Sequence, residues 1–273
     1  MKLKLCSAIL TVSGLLASGV ASAAVVGGVD FGAFGTHIET TTLAETAITG
    51  NGQTLLGYGQ VNTVNGNSGY TGDASKLYFT FQYTSQNFTA GGTEFTGGVV
   101  KVYKGTLGNL LSTSSVANLA NISGLTPWVQ FKGHGNLGGG AAANATIKAT
   151  GTLSGAALAF TGTGLLDVDT SGVFGIPSVA SFLNGNGLLD SIFGAADVRF
   201  NTSGDNSVLN QNDPKTGANG ACATGLGVAG DWCIAGSADF RGTTFVPEPE
   251  SLALVGLALL GMGASSLRKR KNG

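Results

Sequence analysis

The sequence predicts an all-β body, built as an antiparallel β-sandwich or a barrel-like sheet. Three observations carry that expectation. Segments of alternating apolar and polar residues recur along the chain, a period of two that sets one side of a strand against a core. Turn residues separate these segments: the chain holds 46 glycines but only 5 prolines, and Gly and Asn reach positive φ at small steric cost. Helical periodicity is scarce. The glycines follow no collagen-like spacing, and the strand patterns between them argue against a disordered chain.

Taken in order, QTLLGYGQVNTVNG (53–66) reads as a strand that ends in an Asn-Gly turn. KLYFTFQYT (76–84) is the clearest strand: Leu77, Phe79, Phe81 and Tyr83 alternate with Lys76, Tyr78, Thr80, Gln82 and Thr84. One wet face and one dry face point to an antiparallel sheet. GGVVKVYKG (97–105) sends Val100 and Val102 one way and Lys101 and Tyr103 the other, and PWVQFKG (127–133) repeats the pattern with Val129 and Phe131. ANATIKATGTLSG (143–155) and ALAFTGTGLLDVD (157–169) form a hairpin pair. AADVRFNTS (195–203) and CIAGSADFRGTTF (233–245) are late strands around a loop-like stretch, SVLNQNDPKTGANGACATG (207–225). Only LGNLLSTSSVANLAN (107–121) and PSVASFLNGNGLLDSIFG (177–194) fit a helix, and both fit it loosely. No strict repeat is present, so a β-solenoid is the minor alternative.

The two ends are different in kind. Lys2 and Lys4 precede an apolar run, and Ala21-Ser22-Ala23 supplies small residues at the positions a signal peptidase reads, so residues 1–23 are expected to be a signal peptide cleaved after Ala23. Residues 24–246 then form the extracytoplasmic β-rich domain, and residues 247–273 a separate sorting segment. The two ends hold six of the 14 basic residues and two of the 15 acidic ones, which leaves the body with 8 and 13 and a net charge of −5. A charge-poor, mildly acidic body excludes the basic face that nucleic-acid binding needs. Of the three cysteines, Cys6 leaves with the signal peptide. Cys222 and Cys233 remain, and in an exported protein such a pair is expected to form a disulfide.

The tail has three blocks. Pro247-Glu248-Pro249 holds the chain extended. Leu252 to Leu267 is an apolar run weakened by Gly and Ser, about 24 Å long as a helix and short of a ~30 Å hydrocarbon core. Arg268-Lys269-Arg270-Lys271 follows as a basic stop-transfer cluster that stays on the cytoplasmic side. These blocks, in this order, resemble the PEP-CTERM sorting signal of Gram-negative bacteria, a tail also called an ice-binding protein C-terminal motif, although the tail itself implies no ice binding. The resemblance covers Pro247 to Gly273. It implies that Pro247, Glu248 and Pro249 are recognised by an exosortase-type membrane transpeptidase, that the helix anchors the protein transiently, and that the body passes to the cell surface or an extracellular matrix. Proteins of this family accompany exopolysaccharide, biofilm and floc formation.

The body offers little for catalysis. A Ser-His-Asp site would need His37 or His134, and neither lies near a nucleophile motif. The expectation is therefore a protein that is not an enzyme and has no cofactor. Asp167, Asp169 and Ser171 in DVDTSG form the candidate calcium set, with an Asp/Ser turn as the alternative, since an EF-hand would need a Glu where Ser178 stands. Two roles fit the exported body: a structural or adhesive matrix component, or a carbohydrate-binding module using Trp128, Trp232, Tyr78, Tyr83 or Tyr103 on extracellular polysaccharide.

Overall fold

The computed structural model describes residues 24–32, 35–135, 144–190, 194–207, 209–213, 222 and 227–242. The expected signal-cleavage residues Ala21 and Ala23 lie outside the described residues, as do Pro247, Glu248, Pro249, Arg268, Lys269, Arg270 and Lys271 of the tail.

In chain order the strands are β1 (Val25–Val26), β2 (Val29–Asp30), β3 (Thr36–Thr46), β4 (Thr54–Val64), β5 (Lys76–Thr89), β6 (Gly92–Gly105) and β7 (Thr126–Gly133). They continue with β8 (Ala145–Thr152), β9 (Ala159–Val168), β10 (Leu188–Asp190), β11 (Gly194–Ala196), β12 (Val198–Asp205) and β13 (Trp232–Gly242). Two short helices, α1 (Ser115–Ser123) and α2 (Pro177–Leu183), fall in the two segments with loose helical signals.

Eight strands close an antiparallel barrel in the order β12-β13-β3-β4-β5-β6-β7-β9, with β9 pairing back to β12. Of the two all-β architectures expected, the barrel is the one formed. Closure leaves no free sheet edge around its circumference, which removes a template for unwanted strand pairing. One stave is split between two strands. The first half of β6 pairs with β8 and the second half with β7, and both of these pair with β9 on the far side. Strand β4 ends in the expected Asn-Gly turn, with Asn65 at φ 50° and Gly66 at φ 78°, and pairs onward with β5.

The lumen is filled by the inward side chains of this alternation, Phe79, Val100, Phe131, Phe200 and Phe240 among them. Burying each such side chain contributes on the order of 1.5–3 kcal/mol. One end of the barrel is plugged. Phe31, just after β2, lies between Trp128 of β7 (centroids 6.2 Å apart) and Phe182 of α2 (4.9 Å). The fully buried Trp128 donates from Nε1 to the Gly27 carbonyl at 3.1 Å. The other end is looser and carries the site described below.

Part of the barrel's outer wall is also buried. Tyr58, Tyr78 and Tyr103 point outward from β4, β5 and β6, and α1 with the segment before it covers them through Leu110, Leu119 and Ile122. This corrects the expectation that Tyr78 lies on a wet strand face. The period-two pattern identified which face was which, but a helix covers the polar one.

Candidate functional site

The site begins with a fault in strand β3. Its first half alternates regularly, with Ile38, Thr40 and Thr42 turned into the lumen. Against β4, Thr42 pairs with Gly59 and Ala44 with Tyr58, so Leu43 is one residue too many. The neighbour on the other side sees the same excess, with Gly236 opposite Thr42 and Ile234 opposite Glu45. A bulge of this kind re-aims every side chain beyond it. Leu43 and Ala44 face outward beneath α1, and Glu45 is turned into the barrel.

Glu45 therefore lines an apolar cavity inside the looser end. The free space is about 60 Å³ and is bounded by Leu55, Phe81, Tyr83, Phe95, Ile147 and Ile234 among others. A water needs roughly 10–15 Å³ of such space, so the cavity is more than a packing defect. Burial pushes the Glu45 carboxyl from its ordinary 4.5 up to about 8. At neutral pH it is thus mostly the uncharged acid, able to donate as well as accept a hydrogen bond. Tyr83 is the second polar group. Its side chain is buried, burial and then the nearby Glu45 raise its phenol above the usual range, and its hydroxyl has no hydrogen-bond partner. A buried hydroxyl without a partner costs about 1–3 kcal/mol. The ring fits there because Gly98, at φ 101°, would place a Cβ 2.2 Å from it.

The rim of this end is apolar and only half buried at Ile48, Leu153 and Phe160. Beside it sits the disulfide. Cys222 and Cys233 are bonded as expected and fully buried, packed on Ala47, Leu158 and Ile234 with Phe160 alongside. The bond fastens Cys222 onto β13. With a sequence separation of 11, the closed loop stabilises the fold by about 3 kcal/mol in the chain-entropy view. Urea unfolding with and without a thiol reductant should differ by that amount. Reduction should also wait for denaturant, because both sulfurs are buried.

The remaining sequence candidates fall elsewhere. Asp167 is engaged by His134 at 2.8 Å from Nδ1. Asp169 accepts from Gln130 at 2.7 Å, meets Lys132 at 3.0 Å and holds the Ser171 backbone N–H at 3.1 Å. Burial opposes ionisation of Asp169, but the bonds from Lys132 and Ser171 outweigh it and hold the carboxyl below its usual range. The Ser171 N–H closes a turn on Asp169, whose carboxylate also meets Lys132. Among the described residues no group of three or more His, Cys, Asp or Glu side chains is placed to hold a metal ion. His37 meets Asp239 at 2.5 Å and Glu39 at 3.7 Å on the outer wall. The aromatic side chains expected to serve a glycan are not displayed for one: Tyr78, Tyr83, Tyr103 and Trp128 are buried and Trp232 is half buried. Neither Glu45 nor the strand carrying it was anticipated, because THIETTTLAET reads as polar on both faces.

Among the described residues no helix is long and apolar enough to cross a membrane. No curated protein and no solved structure matches the chain. The family model of the PEP-CTERM protein-sorting motif matches residues 245–270. That motif marks an exported protein that is anchored transiently by its tail and processed by exosortase, a membrane protein. Through this C-terminal segment the chain is a PEP-CTERM sorting-motif protein.

Proposed function

We propose that the body is a non-catalytic structural or adhesive component of the cell surface or extracellular matrix of a Gram-negative bacterium, linked to exopolysaccharide, biofilm or floc formation. The observation that carries the reading is the sorting motif at residues 245–270, which directs a body with the build of an extracytoplasmic protein. Its single disulfide suits an oxidising compartment. Its closed barrel hides strand edges that would otherwise aggregate in a crowded matrix. His37 and His134, the two histidines of the chain, each face an aspartate, Asp239 and Asp167, and these pairs tie strand to strand.

Deleting residues 247–273 tests the route. The truncated protein should be exported yet no longer held at the surface, and it should collect in the periplasm or medium. The intact mass of the full-length protein recovered from cells should lack residues from the Pro-Glu-Pro region onward. Unchanged localisation of the truncated form, or a mature protein that keeps its whole tail, overturns the reading. The expected carbohydrate-binding alternative is decided by retention on the producing cell's own exopolysaccharide. The burial of its candidate rings argues for the structural role.

A further inference from the structure

We propose that the looser end of the barrel is a binding site for a small neutral apolar molecule carrying one oxygen function, an alcohol or a carbonyl, held by Glu45 and Tyr83. Three independent features converge on it. The space exists, about 60 Å³, in a lumen whose opposite end is filled by Phe31, Trp128 and Phe182. Tyr83 lines that space, and its buried hydroxyl has no hydrogen-bond partner. A buried polar group left without a partner beside a cavity is one that a ligand atom would complete. The bulge at Leu43 then turns a carboxyl group inward among aromatic and aliphatic side chains, where an unbulged strand would have presented Ala44.

The chemistry selects the ligand. The walls are nearly all hydrocarbon, so the body of the ligand is apolar. A charged ligand would bring an ion into a site that already keeps its carboxyl protonated. An ammonium would have to ionise Glu45, and a carboxylate would face it. A neutral oxygen instead accepts from the Tyr83 hydroxyl and from the protonated Glu45. A ligand hydroxyl can also donate back to the Glu45 carbonyl oxygen. The half-buried rim of Ile48, Leu153 and Phe160 is the way in. It lies next to the Cys222–Cys233 bond, which holds that end of the barrel in shape.

The test uses the mature protein isolated from cells, with cyclohexanol and methylcyclohexane as probes of similar shape, followed by calorimetric titration and thermal melting. Cyclohexanol should bind more tightly than methylcyclohexane. Tyr83→Phe keeps the ring and removes the hydroxyl. It should weaken cyclohexanol about 3- to 10-fold, the range of one neutral hydrogen bond, and leave methylcyclohexane unchanged. Without ligand the same variant should melt higher than the wild type, since an unpaired buried hydroxyl is gone. Ala149→Val, which fills part of the cavity wall, should weaken both probes. The proposal is overturned if neither probe binds, if Tyr83→Phe leaves the preference for cyclohexanol intact, or if Ala149→Val leaves both affinities unchanged. None of these outcomes bears on the sorting of the tail, so this result and the one above stand or fall separately.

Discussion

Raising the pH from 4.5 to 8.5 should cost this protein about 5 kcal/mol of stability through one residue, Glu45. In the folded barrel its carboxyl holds a proton up to about pH 8, whereas the ordinary value is 4.5. Between those limits the unfolded chain has released the proton and the folded chain keeps it. Folding then takes up a proton, and stability falls as the pH rises. Below 4.5 both states are protonated and above 8 both are ionised, so the curve flattens on each side. At about 1.4 kcal/mol per pH unit the window amounts to about 5 kcal/mol, a large share of the 5–15 kcal/mol typical of a domain. Asp197 adds to the slope with the same sign. Burial raises it, against backbone bonds from Val168 and Asn186 that lower it. Asp73 and Asp169, whose values are lowered, act at more acidic pH. The measurement is urea unfolding at a series of pH values for wild type and Glu45→Gln. The variant should match the wild type near pH 4.5 within about 1 kcal/mol and exceed it by several kcal/mol at pH 8.5. Parallel profiles for the two proteins would show that Glu45 is not the group responsible.

Glu45 also marks the limit of what this sequence discloses. The strands that the sequence reveals are those whose two faces differ. Lys76–Thr84 announces β5 because Leu77, Phe79 and Tyr83 meet the lumen while Gln82 and Thr84 meet water. The hairpin β8–β9 and the late strands β12 and β13 are legible for the same reason, although the sequence does not disclose that β12 pairs with β13. Strand β3 escapes because threonine serves on either face of a sheet and because its bulge shifts the period halfway along. Residues 40, 42 and 45 line one lumen, a sequence no strict alternation matches. A buried carboxyl cannot be told from a surface one by its neighbours Ala44 and Thr46. The same holds for Tyr78, whose position on the outer wall was legible but whose cover, α1, lies some 40 residues further along the chain. The disulfide is the opposite case. Two cysteines in an exported body leave one pairing, and the fold only had to bring them together.

The second large effect lies at that cover. Replacing Asp213 with alanine should destabilise the protein by about 3–4 kcal/mol. Helix α1 starts at Ser115 with its first N–H groups unsatisfied, as every helix does. Ser114 serves one of them, accepting from the Ala117 N–H at 3.4 Å. The Ser115 N–H is served from 98 residues away, donating to Asp213 Oδ1 at 2.8 Å, and the Ser115 hydroxyl donates to Oδ2 at 2.5 Å. An acidic group at a helix N-terminus also meets the positive end of the helix dipole. Around this pair the network continues inward. Tyr58 on the barrel wall receives hydrogen bonds from Asn118 at 2.9 Å and Asn210 at 3.0 Å, and its hydroxyl lies 3.1 Å from the Ser115 hydroxyl. All five residues are buried. Alanine at position 213 removes two bonds to the carboxylate, worth about 1.5–3 kcal/mol each. It leaves the Ser115 N–H without that acceptor, while the Ser115 hydroxyl keeps its contacts with Tyr58 and Asn210. Water entering the gap recovers part of that loss. Asn at 213 retains one acceptor and should cost about half as much. Chemical denaturation of the two variants separates these values, and hydrogen exchange should locate the damage in α1 and the outer face of β4 while the lumen strands stay protected. Equal losses for Ala and Asn, or exchange that rises uniformly around the barrel, would mean that Asp213 acts on the fold at large and is not the fastening of α1 to its wall.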